Sequence, residues 1–141
     1  MNTAFWARMH GGSTHFPIAL LLASLVFDFL ALVVKSDEHR RDLRAAAYWS
    51  LLLAALGSFG AVLSGLIISG FQTGGAGLLL KHHLFVWPAF GLVVALAVWR
   101  LVVRQTASKG AYNAYLIALI IASGFMAIAG YWGGEILLGS S

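Results

Sequence analysis

The chain has 141 residues, 60% hydrophobic and 10% charged, with a mean hydropathy of +0.87, a net charge of +4 and a pI of about 9.9. A soluble domain carries roughly a quarter charged residues to keep its surface wet, so this composition excludes one and makes lipid the solvent. In lipid every backbone polar group must be satisfied internally, and apolar runs of about 20 residues without strict alternation then mean helices rather than barrel strands.

The first apolar run spans 16–34. Pro17 fits a first helical turn, where a missing N–H is harmless, and Ser13 or Thr14 is placed to cap it. The N-terminus lacks the basic region and small-residue cleavage site of a removable signal peptide, so this helix is expected to be retained as an anchor. Residues 35–44 hold the main charge cluster and read as a loop. The second run, 46–69, contains Gly57, Ala61 and Gly65 four apart, the spacing that lets helix backbones approach closely. A Gly-rich connector, 70–77, leads to Lys81, His82 and His83, and the third run covers 82–103, with a kink expected at Pro88. A turn at 104–110 precedes the fourth run, 112–132, and a tail. Short loops make sequential helices antiparallel neighbours. The expected fold is all-α: one transmembrane domain over 1–141, an integral membrane four-helix bundle with up-down-up-down topology.

Lys35, Arg40, Arg41 and Arg44, together with Arg100, Arg104 and Lys109, fall on one side of such a bundle, against Arg8 and Lys81 on the other. The excess marks the cytoplasmic side and places both termini outside. It also accounts for the basic pI without nucleic acid. Trp6, Trp87, Trp99 and Trp132 fall near run ends, as interfacial aromatics do. The absence of cysteine excludes disulfides, thiolate metal sites, iron–sulfur clusters and covalent c-type haem attachment. No Gly-x-Ser-x-Gly elbow, phosphate loop or carboxylate pair points to a hydrolase.

Four of the five histidines converge on one membrane face. His10 and His15 precede or open helix 1, His82 and His83 open helix 3, and Glu135 arrives beyond helix 4. His39, in the charged stretch, reads as a solvated surface residue. Imidazole is the commonest protein metal ligand, and helices 1 and 3 of an up-down bundle face each other across the core. One histidine from each would give a haem two axial ligands. Gly57, Gly60 and Gly65 would make room for a porphyrin, or serve plain helix packing, their commoner use. Single histidines at an interface are ordinary; four from two distant segments are not. Copper or zinc with Glu135 as an oxygen ligand fits the same spacing, as do pH-responsive histidines without a metal. Asp28 stands inside helix 1, about 20 Å below His15 at 1.5 Å per residue. A carboxyl there is costly to leave unpaired. It is a proton-relay candidate or the hydrogen-bond partner of Ser64, Tyr115 or a backbone carbonyl.

The segment His10-Gly-Gly-Ser-Thr-His15-Phe16-Pro17-Ile-Ala-Leu resembles the H-x4-H-F-P opening of an uncharacterised family of small four-helix bacterial membrane proteins. Asp28, the histidines opening helix 3 and the closing Gly130-Tyr-Trp-Gly-Gly-Glu135 are similar to features of the same family, so the resemblance covers almost the whole chain. Relatives often continue past the Gly-Gly-Glu segment with a basic, histidine-containing stretch, which this sequence lacks. The resemblance implies a b-haem-like redox protein of the bacterial inner membrane with periplasmic termini. It would be an electron-transfer subunit working with a larger membrane or periplasmic redox complex, and with quinone or cytochrome c, rather than an enzyme alone. Haem b is the expected cofactor, with His15 and His83 as the favoured iron ligands, His10 and His82 beside them, and Lys81 and Glu135 tuning the site. The rival expectations are a cofactor-free structural or assembly subunit and a protein that handles copper or zinc.

Overall fold

The computed structural model describes residues 3–103 and 106–139, which form four helices: α1 (Thr3–Val33), α2 (Asp37–Ile68), α3 (Gly77–Val103) and α4 (Lys109–Leu138). Arg104, counted among the basic residues above, lies outside the described residues. All four helices are long and apolar enough to cross a membrane. At 1.5 Å per residue they extend about 40–48 Å, beyond a hydrocarbon core of about 30 Å.

That excess length explains where the helices depart from the sequence expectations. Apolar runs mark only the stretch that meets hydrocarbon, whereas helix ends continue into the headgroup layer. Ser13 and Thr14, expected as caps, therefore lie inside α1, and their hydroxyls donate to the carbonyls of His10 and Gly11 at 3.2 and 3.1 Å. Pro17 sits in mid-helix rather than in a first turn. The charged stretch expected as a loop forms the first turns of α2. Ser36 caps that helix, its Oγ accepting from the His39 N–H, and Asp37 and Glu38 complement the positive end of the dipole. The expected tail continues α4 to Leu138, where Gly139 ends the helix with a left-handed φ of 66°.

Large apolar side chains such as Leu22, Val26, Phe29, Leu56, Leu63 and Ile117 point outward, while Ala47, Ala54, Ser58, Ala89, Ala97 and Ala122 are buried. Lipid tails are as apolar as leucine, so burying a leucine gains little. Close approach of small residues is what holds membrane helices together. At Gly57 a Cβ would stand 3.2 Å from Phe16 Cδ1 and 3.4 Å from Pro17 Cβ, so this position sets the α1–α2 spacing. The packing divides the bundle into two hairpins. α1 lies along α2 and α3 along α4 far more extensively than the pairs meet each other, and α1 faces α3 across the interior. Neighbours run antiparallel, with His10 meeting Ser64 and the Ser24 hydroxyl donating to the Ala47 carbonyl at 2.9 Å.

One polar cluster ties the hairpins together at the end carrying the α1–α2 and α3–α4 connections. The Asp28 side chain is fully buried. Tyr112 donates to its Oδ1 at 2.9 Å and Tyr115 to its Oδ2 at 2.8 Å, while Arg100 Nη1 stands 3.3 Å from both oxygens. Arg100 Nη2 donates to the Arg44 carbonyl at 3.2 Å, so all four helices contribute. Arg44 and Arg100 also lie over the rings of Tyr112 and Tyr115, at 5.0 and 4.9 Å from the centroids. Removing one partner of a buried ion pair leaves the other uncompensated, so Arg100→Met should destabilise the bundle by about 3–5 kcal/mol. Tyr115→Phe should cost about 1.5–3 kcal/mol, the worth of a hydrogen bond to a charged group. Asp28→Leu combined with Arg100→Met should recover most of the single-variant loss. Reversible unfolding in mixed micelles would measure all three, and unchanged stability in Arg100→Met would refute this account.

Candidate functional site

At the opposite end of the bundle the histidines divide into two groups. His10 is half-buried in α1 and turns toward α2, its Nδ1 2.9 Å from Ser64 Oγ. That hydroxyl donates its own proton to the Ala61 carbonyl at 2.9 Å, so His10 Nδ1 must be the donor in the pair. His82, half-buried in α3, donates from Nδ1 to the Ala129 carbonyl of α4 at 2.8 Å. His83, buried beside it, donates from Nδ1 to the Gly74 carbonyl in the α2–α3 connection. In each neutral ring the proton therefore sits on Nδ1, and among the described residues no hydrogen bond is made to Nε2. This is the arrangement by which second-shell hydrogen bonds orient a metal-binding imidazole.

Two glycines receive these rings. A Cβ at Gly65 would stand 3.1 Å from His10 Cε1, and one at Gly133 would stand 3.3 Å from His82 Cε1. Of the two uses foreseen for the α2 glycines, Gly57 and Gly65 serve close packing, while Gly60 faces open space. His10 and His82 belong to α1 and α3, which face each other across the bundle, and each lies within electrostatic reach of the other. The His82 and His83 rings are 5.8 Å apart. His83 and Trp87 together hold the connection against α3, the Trp87 indole donating to the Thr73 carbonyl at 2.8 Å. Lys81 reaches over the Trp132 ring at 4.5 Å, and Glu135 is half-buried in α4.

His15, one of the two favoured iron ligands, is exposed on the outer surface of α1. Five residues at 3.6 per turn rotate it by about 140° from His10, so when one ring faces the interior the other faces out. His83, the second favoured ligand, is buried and anchored as described. No three His, Asp or Glu side chains among the described residues converge where a metal ion could be held, so His10, His82 and Glu135 do not assemble a three-ligand copper or zinc centre. Asp28 has one partner foreseen from sequence, Tyr115, whereas Ser64 pairs with His10 instead. Arg100 and Tyr112 were missed because both read as helix-end residues. The signal was a matching of depth: Arg100 lies three residues before the end of α3 and Asp28 five before the end of α1.

The tautomers are measurable. In ¹⁵N-histidine spectra of the protein in lipid, His10, His82 and His83 should each show a protonated Nδ1 and a bare Nε2. Ser64→Ala should broaden or shift the His10 signals alone. A protonated Nε2 on neutral His82 would contradict the anchoring geometry.

No curated protein and no solved structure matches the chain. A family model matches residues 8–139, and four long apolar helices with leucine outside and alanine inside agree with it. The chain belongs to the family described as Predicted membrane protein (DUF2231).

Proposed function

We propose that this protein is a membrane-embedded, b-type cytochrome-like electron-transfer subunit, with His10 and His82 as the axial pair of one haem. The observation that carries the reading is the matched pair of imidazoles. They come from α1 and α3, both are half-buried, and both are anchored through Nδ1 so that Nε2 is left for a ligand. Each anchor lies within the ring's own hairpin: Ser64 and Gly65 for His10, Ala129 and Gly133 for His82. A planar group entering between the hairpins would leave both anchors intact. The donor set and the two glycine contacts fit haem, which when bound supplies a one-electron couple. The protein's own residues fix the ring orientations and keep water from the interior.

In this reading the topology is up-down-up-down in a bacterial inner membrane. The basic residues of the Asp28 end face the cytoplasm, and the histidine end with both chain termini faces the periplasm. Electrons would pass between the histidine end and quinone, cytochrome c or a larger redox complex. The chief rival is a cofactor-free structural subunit. Gly57 favours it, because that position is already filled by Phe16 and Pro17 within the α1–α2 hairpin.

A dithionite-reduced minus oxidised spectrum of the detergent-purified protein, with a pyridine haemochrome assay, tests the proposal. A b-type α-band should be present in the wild type and in His15→Ala, and absent in His10→Ala and His82→Ala. Folded protein that takes up no haem would transfer the assignment to the structural subunit. A normal spectrum in His10→Ala and His82→Ala would overturn the ligand pair.

A further inference from the structure

The connection between α2 and α3, residues 69–76, turns on a strained position. Among the described residues Phe71 is the one non-glycine with a positive φ, 63°. A bulky side chain in the left-handed region is costly, and the Phe71 ring is exposed, so its packing does little to offset that cost. Gly70 before it takes the same region, with a φ of 65°, at no steric cost. Together they reverse the chain, the Gly70 N–H donating to the Ile67 carbonyl at 3.4 Å and the Phe71 N–H to the Leu66 carbonyl at 2.7 Å. Beyond them the connection already belongs to α3, because the His83 ring holds the Gly74 carbonyl and the Trp87 indole the Thr73 carbonyl. Residues 69–72 therefore act as a hinge between two hairpins.

The halves joined by this hinge depend on each other for polar partners. Asp28 takes Arg100, Tyr112 and Tyr115 from the α3–α4 hairpin, whereas apolar contact between the hairpins is sparse beside that within them. Each hairpin consists of two helices long and apolar enough to cross a membrane. A hairpin from a second copy would satisfy Asp28 as well as its own does, with every contact of the bundle kept and only the hinge altered. Opening the hinge lets the φ of Phe71 return to the negative region, and the backbone bonds that open lie at a helix end, where water replaces them. Four extended residues reach about 13 Å and packed helix axes lie about 8–10 Å apart, so α2 of one bundle can lead into α3 of its neighbour. Exchange of an identical element is a low-cost route to a dimer, and short strained hinges invite it. We propose that two copies of this chain exchange their α3–α4 hairpins, so that Asp28 of each is met by Arg100, Tyr112 and Tyr115 of the other. Both hinges lie at the same end of the bundle, which sets the two-fold axis along the membrane normal. The exchange is independent of any cofactor at the histidine end.

The sequence contains no cysteine, so introduced thiols are the only ones present. Ile18 and Gly130 meet across the hairpins, a Cβ at Gly130 standing 3.5 Å from Ile18 Cδ1, and Gly11 meets Leu137 Cδ1 in the same way at 4.0 Å. Two differently tagged chains, one Ile18→Cys and the other Gly130→Cys, are coexpressed and treated in the membrane with a short thiol-to-thiol linker. Exchange should give a covalent species carrying both tags, and Gly11→Cys paired with Leu137→Cys should do the same. Phe71→Gly relieves the closed turn and should lower the association constant about a hundredfold, because each dimer opens two hinges worth about tenfold apiece. A flexible Gly/Ser insertion after Gln72 should likewise favour monomer. A monomeric wild-type protein would overturn the proposal. So would a dimer in which both cysteine pairs link only within one chain, or one that Phe71→Gly leaves unchanged.

Discussion

A carboxylate at the centre of a membrane helix bundle must be given donors, and the rest of this structure is arranged around that requirement at Asp28. In hydrocarbon no water can make up a missing partner, so the donors have to come from neighbouring helices at the same depth. Tyr112 and Tyr115 supply two hydroxyls from α4, one turn apart on the same face, and Arg100 supplies charge from α3. None of these donors lies in Asp28's own hairpin. The cluster therefore does what the apolar contacts do only weakly: it sets the depth and rotation of the α3–α4 hairpin against the α1–α2 hairpin. A shift of α3 by one residue would move Arg100 about 1.5 Å along the axis and 100° around it, which would break both contacts to Asp28.

The histidine end follows the opposite rule. His10 and His82 take their hydrogen bonds from within their own hairpins, so nothing polar crosses between the hairpins through these two rings. The bundle is therefore pinned across its hairpins at the Asp28 end, while the two anchored imidazoles at the other end add no such tie. There, small contacts such as Gly130 against Ile18 and Gly11 against Leu137 close the α1–α4 interface. These contacts are apolar and can be replaced by any apolar surface, which is not true of the Asp28 contacts.

The number and order of helices were legible in the sequence because hydrocarbon thickness imposes a length that hydropathy reveals. Their ends were not, because polar side chains in the headgroup layer carry no penalty for staying helical, and Ser13, Thr14 and the stretch from Asp37 to Arg44 all do so. Gathering His10 and His82 at one end followed from counting crossings. Choosing between His10 and His15 needed helical phase, which only the structure supplies: Pro17 is buried and lies seven residues from His10, two full turns on the same face. The Asp28–Tyr115 bond was legible as one of several options, whereas Arg100 was hidden by its usefulness for orientation. A basic residue near a helix end answers the inside–outside question so readily that its burial goes unasked.

Separating the two polar clusters is itself a constraint on what either can do. Asp28 and His10 are eighteen residues apart on α1, or about 27 Å at 1.5 Å per residue. Between them lies an apolar layer with Leu21, Leu51, Val93 and Leu119 fully buried. One uncompensated charge at that distance would act on an imidazole with about 0.6 kcal/mol at an effective dielectric of 20. The pairing of Asp28 with Arg100 reduces even this to the field of a dipole, so the ion pair that fixes the hairpins leaves the histidine end electrically undisturbed. An acid placed midway along α1 would have met the same need for donors while imposing its charge on His10 and His82. Its position five residues from the end of α1 keeps a rigid polar clasp and the histidine pair at opposite ends of the same bundle.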